Sequence, residues 1–422
     1  MKATGWGDRT RLLGLWLRVF TVCSLFLIGC TAAVAQPSPL LSKEHPVDWW
    51  FVFKLNAAAF PHCGGSGEER ACLFGGKVQK KYKAYGQQFV YASSEQPTLK
   101  KGSGCVGDSV TDPLGATFAQ VYNGEYFYLI WNDQPYGDPK IHGCGANCSS
   151  PWGHSKGLIA WDNSGAGFVL QVTTPSWPEA GNEAAPRKKD GNTLGCVSDN
   201  NVKLSQHFFA LKLTKDDVIA VLRAVQNASV ATDPKQRQVV KNGGPQVIRD
   251  LVSTLGARSS HKTVIRATLS SGVDVISKPS ALHVPPWQMA SAVLGGVSLR
   301  SATFWASPFI PTTTSSSKIT CWDKSLGTPG PVEVATSGSW DGKVFGLNGG
   351  SNHAKIGVST SGSKHYVLFS DVNQQGALSG NCGSSQNGRG GLFFVVENEL
   401  LAGSVAALIK GNTASTRVAK PN

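Results

Sequence analysis

Residues 47–55 read Val-Asp-Trp-Trp-Phe-Val-Phe-Lys-Leu, apolar almost without interruption. A short run of this kind, rich in β-branched and aromatic residues, predicts a buried strand. Similar runs predict strands at 126–131, 158–161 and 167–172, and again at 263–268, 298–305, 353–358 and 365–369. An apolar repeat of helical period marks 216–224, and helices are also expected at 116–120, 245–255 and 287–294. Residues 206–211 fit a helix or a strand. Turn chemistry separates these elements. Asn132-Asp133-Gln134-Pro135 closes the strand before it. Residues 61–73 and 136–152 are rich in Gly and Cys, 175–194 is polar and carries Arg187-Lys188-Lys189, and 312–317 is rich in Thr and Ser. Residues 225–245 are polar and read as a connection between two halves.

The halves share a pattern. Gly153-His154-Ser155-Lys156-Gly157 leads into one apolar strand, and Asn352-His353-Ala354-Lys355 leads into another. In a strand, positions i and i+2 point to one face, so each H-x-K presents an imidazole beside an ammonium. A second apolar run follows each motif at nearly the same distance. Equal order and spacing point to an internal duplication.

Composition narrows the setting. Residues 1–35 hold Lys2, Arg9, Arg11 and Arg18, then an apolar run over 19–30, then Ala33-Val34-Ala35. This is the layout of an export signal peptide. Leu27-Ile28-Gly29-Cys30 also fits a lipoprotein signal with Cys30 as the anchor. The apolar run is short for a bilayer span, and no other stretch is long enough for one. The chain carries +13. Removing 1–35 takes away those four cations and Asp8, leaving +10. A basic exported protein suits a polyanionic partner: nucleic acid, anionic lipid or acidic glycan. Eight of the ten cysteines remain after export, an even number that reads as disulfides. If bridges stay within halves, Cys321 pairs with Cys382. Cys144 and Cys148 have one feature of a zinc site, but no second close pair accompanies them. One glycosylation sequon, Asn227-Ala228-Ser229, is present.

Two imidazoles and two ammonium groups suit a phosphodiester. Lysines neutralise its negative oxygens. One histidine attacks phosphorus, and the other protonates the departing oxygen and later activates water. With an ordinary histidine pKa near ~6.5, one neutral and one protonated ring coexist best in mildly acid solution. This scheme needs no metal and no cofactor, and no carboxylate cluster for a two-metal site is evident. The other histidines, including His142, His207, His261 and His283, read as surface or core residues.

Taken together, the motifs resemble the acid deoxyribonucleases of the DNase II family, divergent relatives of the phospholipase D superfamily. The resemblance runs through residues 46–55, Asn132-Asp133-Gln134-Pro135, Gly153-His154-Ser155-Lys156-Gly157 and Asp162. It continues through Gly167-Phe168, Cys196-Val197-Ser198, Phe304-Trp305, His353-x-Lys355, Asp371-x-Asn373 and Gly390-Gly391. It implies an α/β fold of two phospholipase D-like αβα sandwich halves, 36–230 and 231–422. Their mixed sheets would pack together with the site at the junction. It also implies metal-independent hydrolysis of double-stranded DNA to 3′-phosphate ends through a phosphohistidine. His154 and His353 take the histidine roles, with His154 the nucleophile, and Lys156 and Lys355 clamp phosphate. Asn373 and Asp371 fall in the segment that binds substrate phosphate in the superfamily. Asp162 departs from the superfamily spacing and is assigned to structural support. The family leaves room for a homodimeric clamp around duplex DNA. The other readings are a lipid phosphodiesterase and a non-catalytic polyanion or DNA binder.

Overall fold

The computed structural model describes residues 36–63, 72–76, 87–175, 177–178, 181–188, 192, 194 and 203–417. Residues 1–35, with the expected export signal and Cys30, and Cys196-Val197-Ser198 lie outside the described residues.

The apolar run near the N-terminus forms β1 (Trp49–Lys54), all six residues buried. It joins β2 (Phe89–Ser93), β3 (Lys100–Lys101), β4 (Phe127–Asn132), β5 (Lys156–Trp161), β6 (Gly167–Val172), β7 (Gln206–Leu213) and β8 (Val240–Lys241). These eight make one sheet in the order β3-β2-β1-β7-β6-β5-β4-β8. A second sheet holds β9 (Ile265–Thr268), β10 (Asp274–Lys278), β11 (Leu299–Ala302) and β12 (Val332–Val334). After a separate hairpin of β13 (Ser337–Trp340) and β14 (Lys343–Gly346), it is completed by β15 (Ile356–Ser359), β16 (Tyr366–Ser370) and β17 (Gly391–Glu397). Its order is β12-β11-β15-β16-β17-β10-β9.

Five strands of each sheet correspond. The series β1-β7-β6-β5-β4 and β10-β17-β16-β15-β11 have the same chain order, and every neighbour in both is antiparallel; beyond them the sheets differ, because β2 follows β1 in the chain whereas β9 precedes β10. Mixed sheets were expected. The first is antiparallel throughout, and the second is mixed through the single parallel pair β11–β12. Short connections explain this. Residues 162–166 turn β5 directly back into β6, whereas a parallel neighbour needs a long crossover.

Helices flank both sheets. Helix α1 (Pro113–Tyr122) starts at Asp112, whose carboxylate accepts from the N–H groups of Leu114 and Gly115. It packs on the outer face of the first sheet, where Trp50 Nε1 donates to Thr117 at 3.1 Å. Helix α2 (Lys215–Asn227) opens with a capping box between Thr214 and Asp217. It touches β6 and β7 of the first sheet and β9, β10 and β17 of the second, with α3 (Gln246–Ser253) against it. On the second sheet, α4 (Pro286–Val293) lays Trp287 edge-on against Phe393 at 5.3 Å. Helix α5 (Glu399–Leu408) runs against β15 and β16.

Strand alternation divides the aromatic residues between layers. Phe51 and Phe209 of the first sheet meet Phe369 of the second at 4.6 and 4.5 Å. Phe209 also reaches Phe394 at 5.8 Å. The two sheets therefore share one core, face to face. This core sits directly behind the ends of β5, β7, β15 and β17, where the two H-x-K motifs lie.

One alternative is settled and two local expectations change. Residues 206–211 are strand. The polar connection at 225–245 is largely packed, because Ala228, Val230, Ala231, Val239 and Val240 are buried and β8 pairs with β4. The Asn227 amide of the sequon is buried and donates to Thr263 and Ser277, so it is not presented for glycosylation. Among the described residues three disulfides are complete: Cys63–Cys105, Cys144–Cys148 and the expected Cys321–Cys382. The Cys144–Cys148 bond removes the zinc alternative.

Candidate active site

Each H-x-K stands at the entrance to its strand rather than within it. Lys156 is the first residue of β5, and Lys355 immediately precedes β15. Each histidine is fixed by the other sheet. The His154 N–H donates to the Gly390 carbonyl at 2.8 Å, next to the start of β17. The His353 N–H donates to the Ser205 carbonyl at 2.7 Å, next to the start of β7. A third tie crosses at the middle residue of the first motif. The Ser155 hydroxyl donates to Asp371, which follows β16, and receives Trp131 Nε1 at 2.7 Å.

Asp133 is the hub on the His154 side. It is 1% exposed, and its carboxylate meets three cationic or protonated groups. His154 Nδ1 lies at 2.8 Å, Lys156 Nζ at 2.6 Å and Arg389 Nη2 at 2.9 Å. Arg389 is itself fixed by the carbonyls of Trp152, Cys148 and Gly153. Burial pushes the Asp133 carboxyl up, but His154, Lys156 and Arg389 outweigh it and hold the group well below the usual carboxylate range. The carboxylate takes the proton-bearing side of His154, so Nδ1 carries hydrogen and Nε2 offers its lone pair. Burial lowers the His154 pKa to about 3, with Asp133 pulling the other way and Lys156 adding to the fall.

His353 has a different setting. Its Nδ1 faces Gln206 Nε2 at 3.2 Å, and the Gln206 carbonyl oxygen receives the Thr173 hydroxyl at 2.9 Å. Phe304 lies edge-on to the ring at 5.1 Å. Burial, then Lys355, Lys156, His154 and Lys54, holds His353 well below the ordinary histidine range. Lys355 Nζ donates to the His353 carbonyl at 2.6 Å, and its N–H donates to His207 Nδ1 at 3.1 Å. Burial lowers the Lys355 ammonium to about 7, with Lys156 reinforcing the fall and Asp371 and Asp133 opposing it. Lys156 and His154 act on the His353 ring, and Lys156 and Asp133 act on the Lys355 ammonium, so the fold brings the two motifs close together.

The remaining sequence candidates sit around this centre. Asp371 is buried and accepts from Ser155 and from Gln171 Nε2 at 3.1 Å. Burial raises its carboxyl to about 7 against the pull of Ser155, Lys156, Lys355 and Gln171. Asn373 is buried, and its amide donates to Gln375 at 3.0 Å. Asp162 lies in the β5–β6 turn, where Oδ1 accepts from the N–H groups of Ser164 and Gly165. Four contributors were not singled out from sequence: Asp133, Arg389, Gln206 and His207. Asp133 was visible as part of Asn132-Asp133-Gln134-Pro135, but as a turn residue. Arg389 precedes the noted Gly390-Gly391 pair. Among the described residues no group of three or more His, Cys, Asp or Glu is placed to hold a metal ion.

The sequence profile of the family Deoxyribonuclease II matches residues 38–277. Deoxyribonuclease-2-alpha of Sus scrofa is 31% identical over 160 residues, covering 36% of this chain and 37% of that relative. The protein of the same name from Rattus norvegicus is 32% identical over 161 residues, covering 36% and 39%. Plancitoxin-1 of Acanthaster planci is 24% identical over 405 residues, covering 90% and 91%. The matched part thus spans well under half the length of the Sus scrofa and Rattus norvegicus relatives.

Proposed function

The chain belongs to the deoxyribonuclease II family, and from that premise we propose that it is an exported acid endonuclease that hydrolyses DNA phosphodiesters without a metal. The observation that carries the reading is the convergence of His154, Lys156, His353 and Lys355 on one site between the sheets.

The two histidines are equipped for different tasks. Asp133 orients His154 so that the Nε2 lone pair is free, and the low pKa keeps that ring neutral in acid. His154 therefore attacks phosphorus. Lys156 and Lys355 hold the non-bridging oxygens and offset the charge that builds on them. The bound phosphodiester anion counters the lysines around His353 and draws a proton onto it in acid solution. The imidazolium then gives its Nε2 proton to the 5′ oxygen as the P–O5′ bond breaks. The products of this step are a free 5′ hydroxyl and a phosphoryl group joined to His154 and to the 3′ oxygen. Neutral His353 next takes a proton from water, whose oxygen attacks phosphorus and releases His154. The end left is a 3′-phosphate. Asp371 lies near both lysines, and it and Asn373, in the segment after β16, are assigned to the substrate phosphate, while Asp162 supports the β5–β6 turn.

The matching order of five strands, with an H-x-K at the entrance to the fourth of them in both halves, supports an internal duplication of the phospholipase D-like type. Disulfides are characteristic of oxidising compartments and fit export.

The test is plasmid nicking at pH 5 and pH 7.5 with excess chelator, using wild type, His154→Ala and His353→Ala. Wild type should nick at pH 5 in chelator, and neither variant should. The new 3′ ends should become extendable by a polymerase only after phosphatase treatment. Loss of wild-type activity in chelator would refute the metal-free mechanism, and unimpaired variants would refute the site.

A further inference from the structure

The loops that follow β4 and β11 occupy corresponding places in the two sheets, yet they carry opposite chemistry. After β4 comes Asp133, which grips His154. After β11 comes an aromatic series: Phe304 against His353, then Trp305, then Phe309, whose ring lies 4.7 Å from that of Trp305. Phe304 and Trp305 are partly exposed, and Phe309 is 36% exposed. Buried rings in this protein are explained by the core, but these rings stand outside it, next to a site that binds a polar anion.

The loop is built to hold them in place. Trp305 Nε1 donates to the Ile310 carbonyl at 2.8 Å, and the Trp305 carbonyl receives the Gly349 N–H at 3.0 Å. Gln375 donates to the Ala306 carbonyl at 2.9 Å, and Phe309 bridges to Gln375. The packing on the His353 side is close: a Cβ on Gly349 would come within 2.9 Å of Ala306 Cβ. An ordered aromatic surface thus begins one residue from the ring that contacts His353.

We propose that Trp305 and Phe309 form a stacking platform for a nucleobase of the strand being cut, beside the phosphate held at His353. The inference rests on the reading of the site as a DNA phosphodiesterase and names how the polymer is gripped. Every base has a π face, so stacking on aromatic side chains accepts any sequence. It also requires a base freed from its own stack, so the platform favours single-stranded or frayed segments over intact duplex.

The experiment measures binding of a short fluorescein-labelled oligothymidylate by anisotropy at pH 5, in a His154→Ala background that prevents cutting. Adding Trp305→Ala or Phe309→Ala should weaken binding roughly fivefold to a hundredfold, the range expected for one lost base stack. Trp305→Phe keeps a ring and should retain most of the affinity. An abasic residue walked through the oligonucleotide should, at one position, weaken the parent by a similar factor and have no further effect on the Trp305→Ala protein. Thermal melting of each variant separates loss of stacking from loss of fold. Alanine variants that melt like the parent and bind with unchanged affinity would overturn the platform alone, provided the wild type cuts DNA. A parent that does not bind the oligonucleotide, although the wild type nicks plasmid, would overturn the platform and leave the nuclease reading standing.

Discussion

The main-chain N–H of His154 is bonded to the carbonyl of Gly390 across the two sheets, 236 residues apart by number and 2.8 Å apart in space. Its counterpart joins His353 to Ser205. Each half therefore fixes the histidine of the other, and neither motif is complete without its partner sheet. Gly390 is also closely enclosed: a Cβ there would stand 1.9 Å from the Ala228 carbonyl oxygen. Backbone cannot swing aside as a flexible side chain would. Gly390→Ala should therefore destabilise the protein by about 1–3 kcal/mol, the usual cost of overpacking. It should also move His154 and lower kcat more than the loss of folded protein accounts for. Denaturant unfolding and kcat measured on the same preparation check both effects. Wild-type stability would disprove the close contact.

Asp133 faces three partners, so changing it affects charge and geometry together. In Asp133→Asn the shape is nearly kept, but Lys156 and Arg389 lose their counter-charge in a buried setting. Removing one partner of a buried pair costs on the order of 3–5 kcal/mol. The amide also cannot hold the His154 tautomer as a carboxylate does. We expect a fall in kcat of about 10²–10⁴-fold, the span of a positioned acid–base group. Melting temperature and single-turnover cutting at pH 5 test this. A variant that cuts at the wild-type rate would show that His154 does not depend on Asp133.

Lys355 and Asp371 give a signed pH prediction. Both titrate near pH 7, the lysine lowered and the carboxyl raised, chiefly by burial. Below that pH the lysine is charged and the carboxyl neutral. Above it the lysine has lost its proton and the carboxyl carries a negative charge. The site therefore loses two units of charge as pH rises through about 7, and DNA affinity should fall with it. Measured in the His154→Ala background, log Kd against pH should rise with a slope approaching about two, and with about one in Asp371→Asn. The same carboxyl affects stability. Its folded pKa is above its unfolded value, so its contribution is fully present below about 3.8 and is lost as pH rises through about 7. The stability of Asp371→Asn should lack that slope. Binding that is flat between pH 6 and 8 would rule out this assignment.

The parts of this site that were legible in the sequence were those expressed locally. His154-x-Lys156 and His353-x-Lys355 stand out because each precedes an apolar run and because there are two of them. Strand β1 is plain from its unbroken apolar residues. Strand β10 is not, since Asp274, Ser277 and Lys278 make it look polar. All five of its residues are nevertheless buried, because Asp274 pairs with Arg266 and Lys278 donates to the carbonyls of Leu282, Asn387 and Arg389. Arg389 was illegible for a related reason. Its role depends on a carboxylate 256 residues earlier, and such a contact leaves no periodicity in either segment. The 225–245 connection looked like a linker because polar residues alternate there with the few apolar ones that pack.

The Cys144–Cys148 and Cys321–Cys382 disulfides should have opposite effects when removed. The first closes a loop with a sequence separation of 4 and the second one of 61. Loop-closure entropy gives about 2 kcal/mol for the short loop and about 4 kcal/mol for the long one. The short loop, however, lies against the candidate site. The Cys148 N–H donates to the Asp133 carbonyl at 2.8 Å, and the Cys148 carbonyl receives Arg389 at 2.8 Å. Freed from its bond, Cys148 no longer holds either group firmly. The double substitution Cys144→Ser with Cys148→Ser should therefore reduce kcat at least tenfold with a modest fall in melting temperature, on the scale of a lost positioning contact. Cys321→Ser with Cys382→Ser should lower the melting temperature more and leave kcat of the folded protein near wild type. Calorimetry and kcat on both proteins decide the matter. An active, slightly destabilised Cys144/Cys148 variant would mean that the loop around Cys148 keeps its place without the bond.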